Sequence, residues 1–414
     1  MAPEAHAIVR TGKALLSAGA ETYRVRLAMG QVAAALGVEW LQSHVTLTEV
    51  TVTLFRGAEF RTQVGQVHSV SVNADKLTRL EALAGRLGPG ATPMDVEREL
   101  DGIDHLKRIY PPWLNALATA LACTAVGYLN NAWAVELFGV FVGAFLGQFL
   151  RALLGKRHVN VYLQALAGGL VAAFCYIGVT ALLSLATGDT TPHSAGYVPA
   201  LIFLVPGYPL VTALFDLVKT DMTAGLSRLA HAFMILAAAA GALLVVTWVI
   251  DVTPDPLPPH ALPVLLGWVL AAVASGVGVA GWAVMFNTPI RGALCAGAVG
   301  IVANLVKLGL VRAGAPVWAA SAAGALALGL LAYVIAWRTT LAEVTLAVPA
   351  AIILVPGAYA FRALVFLSSG AQAQVFQNAF QAVLTIAGMA IGLSLARIAT
   401  DRSWGTDQRR PLGA

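Results

Sequence analysis

From Trp113 to Arg397 the chain runs as one apolar stretch after another, and no other feature limits its fold as strongly. About ten segments of about 20 apolar residues follow each other, at 113–130, 133–153, 160–187, 196–218, 224–250, 262–286, 292–311, 316–337, 343–368 and 375–397. Each is long enough to cross a hydrocarbon core of about 30 Å as a helix. Most of the charge lies before Tyr110 or after Arg397, and only 11% of the 414 residues are charged, against 58% hydrophobic. A soluble domain carries about 25% charge. The pattern predicts an α-helical polytopic membrane protein with about ten transmembrane helices. In such a protein basic residues report orientation, so the formal charge of +5 is no signal for nucleic acid.

The spans fall into two sets of five. "DVTPDPLPPH" at 251–260 is polar and Pro-rich, and it separates them. Val198–Leu217 and Val348–Leu367 share eleven of twenty positions at a constant offset of 150, including "LVPG" in both. A weaker echo pairs "QFLR" at 148–151 with "NLVK" at 304–307. This marks an internal duplication. Five is odd, so the second copy enters the membrane from the opposite face, and a direct repeat in sequence becomes an inverted repeat in space. Secondary transporters are built this way, with substrate near the midplane. The expected domains are 1–109, a small α+β cytoplasmic unit; 110–250, the first five-helix membrane repeat; 251–261, the Pro-rich linker; 262–398, the second repeat; and 399–414, a cytoplasmic tail.

Basic flanks set the expected orientation. Lys107, Arg108, Lys156, Arg157, Lys219, Arg228, Arg291, Arg338, Arg397 and Arg402 fall on one side, and little beyond Arg312 on the other. The positive-inside rule puts both termini in the cytoplasm of a multi-pass inner or plasma membrane protein. The opening "MAPEAHAIVRTGKALLSAGAETYRVR" has no continuous apolar core and is not expected to be a signal peptide.

Within 1–109, Val25, Met29, Val32 and Leu36 recur at helical spacing. "HVTLTEVTVTLF" alternates as a strand, and "FRTQVGQVHSVSV" continues as one or two more. Asn73 and Thr92 are suitable N-caps for two further helices. No G-x-S-x-G, H-E-x-x-H or phosphate-binding glycine loop occurs, so no catalytic residue, cofactor or metal is expected. Cys123, Cys175 and Cys295 lie in apolar segments at spacings unlike a metal site.

The candidate chemistry lies in the spans. Proline and glycine interrupt helices, yet Pro206–Gly207 and Pro356–Gly357 stand together in apolar sequence. Broken backbone survives at membrane depth only where protein or a water-filled cavity covers it. The restarting half-helix then offers free N–H groups and the positive end of its dipole, which suit a carboxylate. The expected substrate-binding set is Pro206, Gly207, Tyr208, Pro356, Gly357, Tyr359 and Arg362, with the intramembrane polar residues Gln148 and Asn304. Asp216, Asp221, Arg228 and His231 are the expected coupling or gating residues, because ionisable groups in or beside spans are costly. The second, fourth and ninth spans contain internal Gly or Pro and are candidates for interruption.

"LLSAGAETYRVRLAMGQVAAALGV", "YPPWLNAL", "LVPGYPLVTALFDLVKTDMTAGLSRLAHA" and "LVPGAYAFRAL" together resemble the threonine/serine exporter family over essentially the whole chain. The resemblance implies export of small amino acids from the cytoplasm, driven by an ion gradient. Relatives assembled from two chains are associated with dicarboxylate export, chiefly of succinate. The implied partners are a small carboxylate-bearing substrate, protons and the lipid bilayer. A homo-oligomer is compatible with the sequence and not dictated by it. Three alternatives stay open at this point: a dicarboxylate exporter, a membrane-anchored enzyme with a hydrolytic soluble domain, and a passive channel.

Overall fold

The computed structural model describes residues 1–401, except 69, 189–192, 194–195, 251–260, 340 and 369. The expected linker at 251–261 and the tail at 399–414 therefore lie almost wholly outside the described residues.

The chain opens with an α+β unit: α1 (Ala2–Ser17), α2 (Thr22–Ala35), β1 (Trp40–Val45), β2 (Glu49–Arg56), β3 (Glu59–Gln66), α3 (Ala74–Arg86) and α4 (Pro93–Asp104). The strands form an antiparallel sheet in the order β1-β2-β3, with Val45 opposite Val50 and Glu49 opposite Gln66. Val50, Val52 and Leu54 turn inward and are fully buried, as the alternation requires. Asn73 caps α3 by accepting from the Lys76 amide, and Thr92 forms a capping box with Asp95.

One local expectation is corrected. "HVTLTEVTVTLF" covers the end of β1 and most of β2, because a turn at 46–48 separates them; among the described residues one further strand, β3, follows before α3, within the one or two expected. The helix α1 is a further element of the domain, and its buried face carries Ile8, Val9, Leu15 and Leu16 beside the small Ala5, Ala7, Thr11, Gly12 and Ala14. It fills the centre of the domain, packed on α2, α3, α4, β2 and β3.

The apolar region contains α5 (Pro112–Leu129), α6 (Ala134–Lys156), α7 (Val161–Thr187), α8 (Tyr197–Leu201) with a 3-10 turn at Ile202–Leu204, α9 (Gly207–Val218) and α10 (Met222–Ile250). Then come α11 (Val264–Met285), α12 (Ile290–Arg312), α13 (Val317–Arg338), α14 (Glu343–Ile352), α15 (Gly357–Ser368) and α16 (Gln372–Thr400). Among the described residues eight helices are long and apolar enough to cross a membrane alone, and two bent pairs raise the number to ten. The bends are 57° between α8 with its 3-10 turn and α9, and 43° between α14 and α15. The fourth and ninth expected spans are thus the broken ones. The second, α6, runs unbroken, since its glycines let α7 approach closely instead of breaking the helix.

Packing partners repeat between the halves. In the first, α6 lies between α5 and α7, α7 packs on α10, and α9 on α10; in the second, α12 lies between α11 and α13, α13 packs on α16, and α15 on α16. The segment before each break sits among three long helices, α8 on α5, α6 and α7, and α14 on α11, α12 and α13.

Candidate functional site

Both breaks have one local geometry. The Gly207 amide donates to the Val205 carbonyl at 2.7 Å, and the Gly357 amide to the Val355 carbonyl at 2.8 Å. Pro206, with φ −77° and ψ 57°, is the centre of this inverse γ-turn. A proline suits the central position, which needs no donor. The helix then restarts with first-turn amides that have no intrahelical acceptor.

The two breaks touch each other reciprocally. A Cβ added to Gly207 would lie 2.7 Å from Ile352, and one added to Gly357 would lie 3.0 Å from Val205 and 3.6 Å from Ile202. Ile202 and Ile352 are related by the same offset of 150 as the glycines. Each glycine therefore admits the wall of the other half, and α9 packs on α14 while α8 packs on α15.

The remaining expected residues scatter. Tyr208 does not join Tyr359 at the breaks. It is buried against the ring of Phe286, with centroids 5.4 Å apart, and beside Gly19 of the soluble domain. Gly19 has φ +98°, a conformation that side-chain-bearing residues avoid, and it turns α1 into α2 at this contact. Tyr359 and Arg362 are half-buried on α15. Gln148 donates to Asn115 at 2.8 Å between α6 and α5, and Asn304 donates to Ser275 at 2.8 Å between α12 and α11. All four side chains are buried, and both bonds join helices within one half. His231 pairs with the Tyr162 hydroxyl at 3.1 Å, between α10 and α7.

Asp216, Asp221 and Arg228 do come together, in a clamp made by the soluble domain. Asp216 and Arg228 form an ion pair at 2.8 Å, and both side chains are almost fully buried. The second Asp216 oxygen accepts from the Thr22 amide at 2.9 Å, and Arg228 donates to the Ala20 carbonyl at 2.7 Å. Asp221 pairs with Arg26. The same turn also reaches the second half. Arg24 contacts Glu21 at 3.2 Å, Glu81 at 3.1 Å and Glu343 at 3.8 Å, and these carboxylates hold its guanidinium firmly charged despite burial. Glu343 accepts from Arg397 at 2.7 Å. Farther along, Asn73 accepts from Asn287, whose side chain in turn accepts from the Ile109 amide at 2.9 Å. Residues 18–24 thus fasten the end of α9 and the start of α14 together.

Sequence reasoning missed Thr22, Glu21, Arg24, Glu343 and Arg397. The last two stand at span ends, where charge reads only as an orientation marker. The available signal was the stretch "AGAETYR", in which Ala20, Glu21 and Thr22 are buried although two of them are polar.

Comparison with known proteins gives this architecture a family. Residues 6–249 match the family described as "Putative threonine/serine exporter", and residues 271–399 match that described as "Threonine/Serine exporter, ThrE". The chain belongs to the threonine/serine exporter family. Its relatives include the "Probable succinate transporter subunit YjjP" of Escherichia coli, 27% identical over 58% of this chain and 92% of that protein. They also include the "Probable threonine/serine exporter" of Mycobacterium tuberculosis, 25% identical over 94% of this chain and 75% of that protein. No solved structure matches the chain significantly. This exporter-family chain is accordingly a multi-pass membrane transporter of small molecules rather than an enzyme.

Proposed function

We propose that the protein is a secondary active exporter of small amino acids of the threonine/serine kind, and that the substrate binds where the two Pro-Gly breaks meet. The observation that carries this reading is the reciprocal contact of Gly207 with Ile352 and of Gly357 with Ile202 and Val205. Contacts exchanged at a fixed offset are what a two-fold relation between the repeats requires, and five spans per repeat make that relation an inversion. On this reading both termini are cytoplasmic, which agrees with the single side of the bundle on which the soluble domain meets Asp216, Asn287, Glu343 and Arg397.

The breaks divide the work. At the start of α15, Ala358 and Tyr359 both carry an amide in the unpaired first turn, and Arg362 follows one turn later. At the start of α9 the third position is Pro209, which has no amide to offer. The substrate carboxylate therefore belongs at the second break, near Arg362. Gln148 and Asn304 shape the helices behind the site. The Asp216–Arg228 pair, with Asp221, is the coupling and gating element, and protons are the coupling ion; His231 is the outlying member of that set.

Dicarboxylate export is the second reading, favoured by the name of the E. coli relative. Counterflow in proteoliposomes decides between them. Labelled threonine exchange should be blocked by serine and left intact by succinate, and should acquire a pH-gradient dependence. Exchange of succinate in preference to threonine would replace the first reading with the second.

A further inference from the structure

The Pro-Gly breaks are shut in this structure. Pro206, Gly207, Pro356 and Gly357 are all buried. Tyr208, the residue after the first break, is 3% exposed, and its ring meets that of Phe286, just past the end of α11. The soluble domain covers both rings. A Cβ on Gly19 would lie 3.2 Å from the Tyr208 ring, and the Phe286 carbonyl accepts from the Ala74 amide at 2.9 Å. A continuous series of contacts therefore runs from Gly19 through Tyr208 and Gly207 to Ile352 of the other half.

The turn between α1 and α2 makes much of this cover. Ala20 and Thr22 are fully buried, and Glu21 nearly so. Backbone groups hold the turn to the bundle, through the Thr22 amide on Asp216 and the Ala20 carbonyl on Arg228. Its side chains are less well served. Glu21 Oε2 and Thr22 Oγ1 are buried and have no hydrogen-bond partner among the described residues. A permanent interface satisfies such atoms, because leaving them bare is costly. Withdrawal of the turn would return both to water and so offset part of the loss of its bonds. Asp216 and Arg228 would lose the turn together and still keep each other at 2.8 Å, so no buried charge is left without its partner when the turn is out.

We infer that the α1–α2 turn, residues 18–22, is an autoinhibitory plug that closes the bundle over the breaks and withdraws to admit substrate. The inference rests on the export reading above and adds what stands between the cytoplasm and the site. An exporter loads from the cytoplasmic face, which on that reading is the face the soluble domain covers, so the turn lies on the way in. Its withdrawal frees the Tyr208 ring from Gly19 and uncovers the path along α9 to Gly207. Arg26, paired with Asp221 at the more exposed rim, is the outer tie of the same plug.

The test uses the full-length protein in membrane vesicles, with Cys123, Cys175 and Cys295 replaced by alanine and one reporter thiol, Ala358→Cys, beside the second break. The probe is a sulfonate-bearing thiosulfonate, which does not cross the bilayer, applied to the soluble-domain face. Thr22→Pro deletes the amide that Asp216 accepts from and leaves the local backbone intact. Thr22 is the first residue of α2, a position that takes proline well, and Glu21 before it is already extended at ψ 153°. Losing this bond to a carboxylate should raise the labelling rate about tenfold. Asp221→Asn loosens only the rim tie to Arg26 and should raise it about threefold; it decides the matter if Thr22→Pro fails to fold. Probe confined to the opposite face should label both variants at the parental rate. Parental labelling of the folded variants from the soluble-domain face overturns the inference and leaves the export reading standing. Acceleration from both faces also overturns it, since the bundle has then merely loosened. Acceleration from the soluble-domain face that L-threonine does not slow keeps the plug and removes the substrate site from the breaks.

Discussion

The break between α8 and α9 and the break between α14 and α15 start from one sequence and end in different chemistry. Both are built on Leu-Val-Pro-Gly, both close an inverse γ-turn, and each glycine seats the other half's wall. Beyond the turn they part. The first continues through Pro209 to Asp216, which is buried and held by Arg228 and the Thr22 amide. The second continues through Ala358 and Tyr359 to the half-buried Arg362, and its own tie to the soluble domain is at the opposite end, through Glu343. Duplication supplied two equivalent breaks. Divergence left Ala358, Tyr359 and Arg362 beyond one break, and Asp216, ion-paired with Arg228, beyond the other. The lesson is that symmetry should be sought at the breaks and asymmetry at the ends that meet the soluble domain.

The comparison predicts its own breaking points. The largest effect should follow Asp216→Asn. It leaves the Arg228 guanidinium buried with half its partners, and removing one member of a buried pair costs about 3–5 kcal/mol. Chemical unfolding should show this loss, and limited proteolysis should cut the released α1–α2 turn. A loss under about 1 kcal/mol would mean that the pair is solvated and the clamp weak.

Ile202→Ala and Ile352→Ala come next. Truncating a buried isoleucine costs about 2–5 kcal/mol. Because the contacts are reciprocal, the two losses should agree within about 0.5 kcal/mol in the same unfolding assay. Clearly unequal losses would break the symmetry claimed for the breaks.

Glu343→Gln should cost less, about 1.5–3 kcal/mol for a charged hydrogen bond. Arg397 retains Glu21 at 4.0 Å and the Phe215 ring at 5.5 Å, so it is not left alone. If Glu343→Gln matched Asp216→Asn, the two ends would be equivalent and the asymmetry wrong.

The smallest effect lies in the soluble domain, far from both breaks. Burial tends to raise the Asp104 carboxyl, but Lys76 and Arg10 outweigh it and hold it below its ordinary value. Stability from this group is therefore present above the unfolded carboxylate range of about pH 4 and is lost as pH falls through the lower folded value. Asp104→Asn should flatten the acid limb of the unfolding profile without changing transport at neutral pH.

Much of this was legible in the sequence, for reasons tied to particular residues. Length and hydropathy located the spans, and the repeated Leu-Val-Pro-Gly located both breaks, because proline and glycine act locally. What was not legible depends on contacts far apart in the chain. Tyr208 was expected to face substrate, but Gly19 and Phe286 claim it. Gln148 and Asn304 were expected at the site, and no local pattern shows their bonds to Asn115 and Ser275 within their own halves. Glu343 and Arg397, at the ends of apolar runs, looked like boundary markers until the fold set them against Arg24 and Glu21.

The central claim is that the two breaks together form one substrate site. Labelled L-threonine binding by purified Gly207→Leu and Gly357→Leu proteins tests it most directly, with each variant first shown to run as a single folded species by size exclusion. Leucine at either position must displace Ile352 or Val205 of the other half. The account predicts that the binding lost in one variant is also lost in the other, since each half supplies one wall. Parental binding in both variants would contradict it and place the site elsewhere.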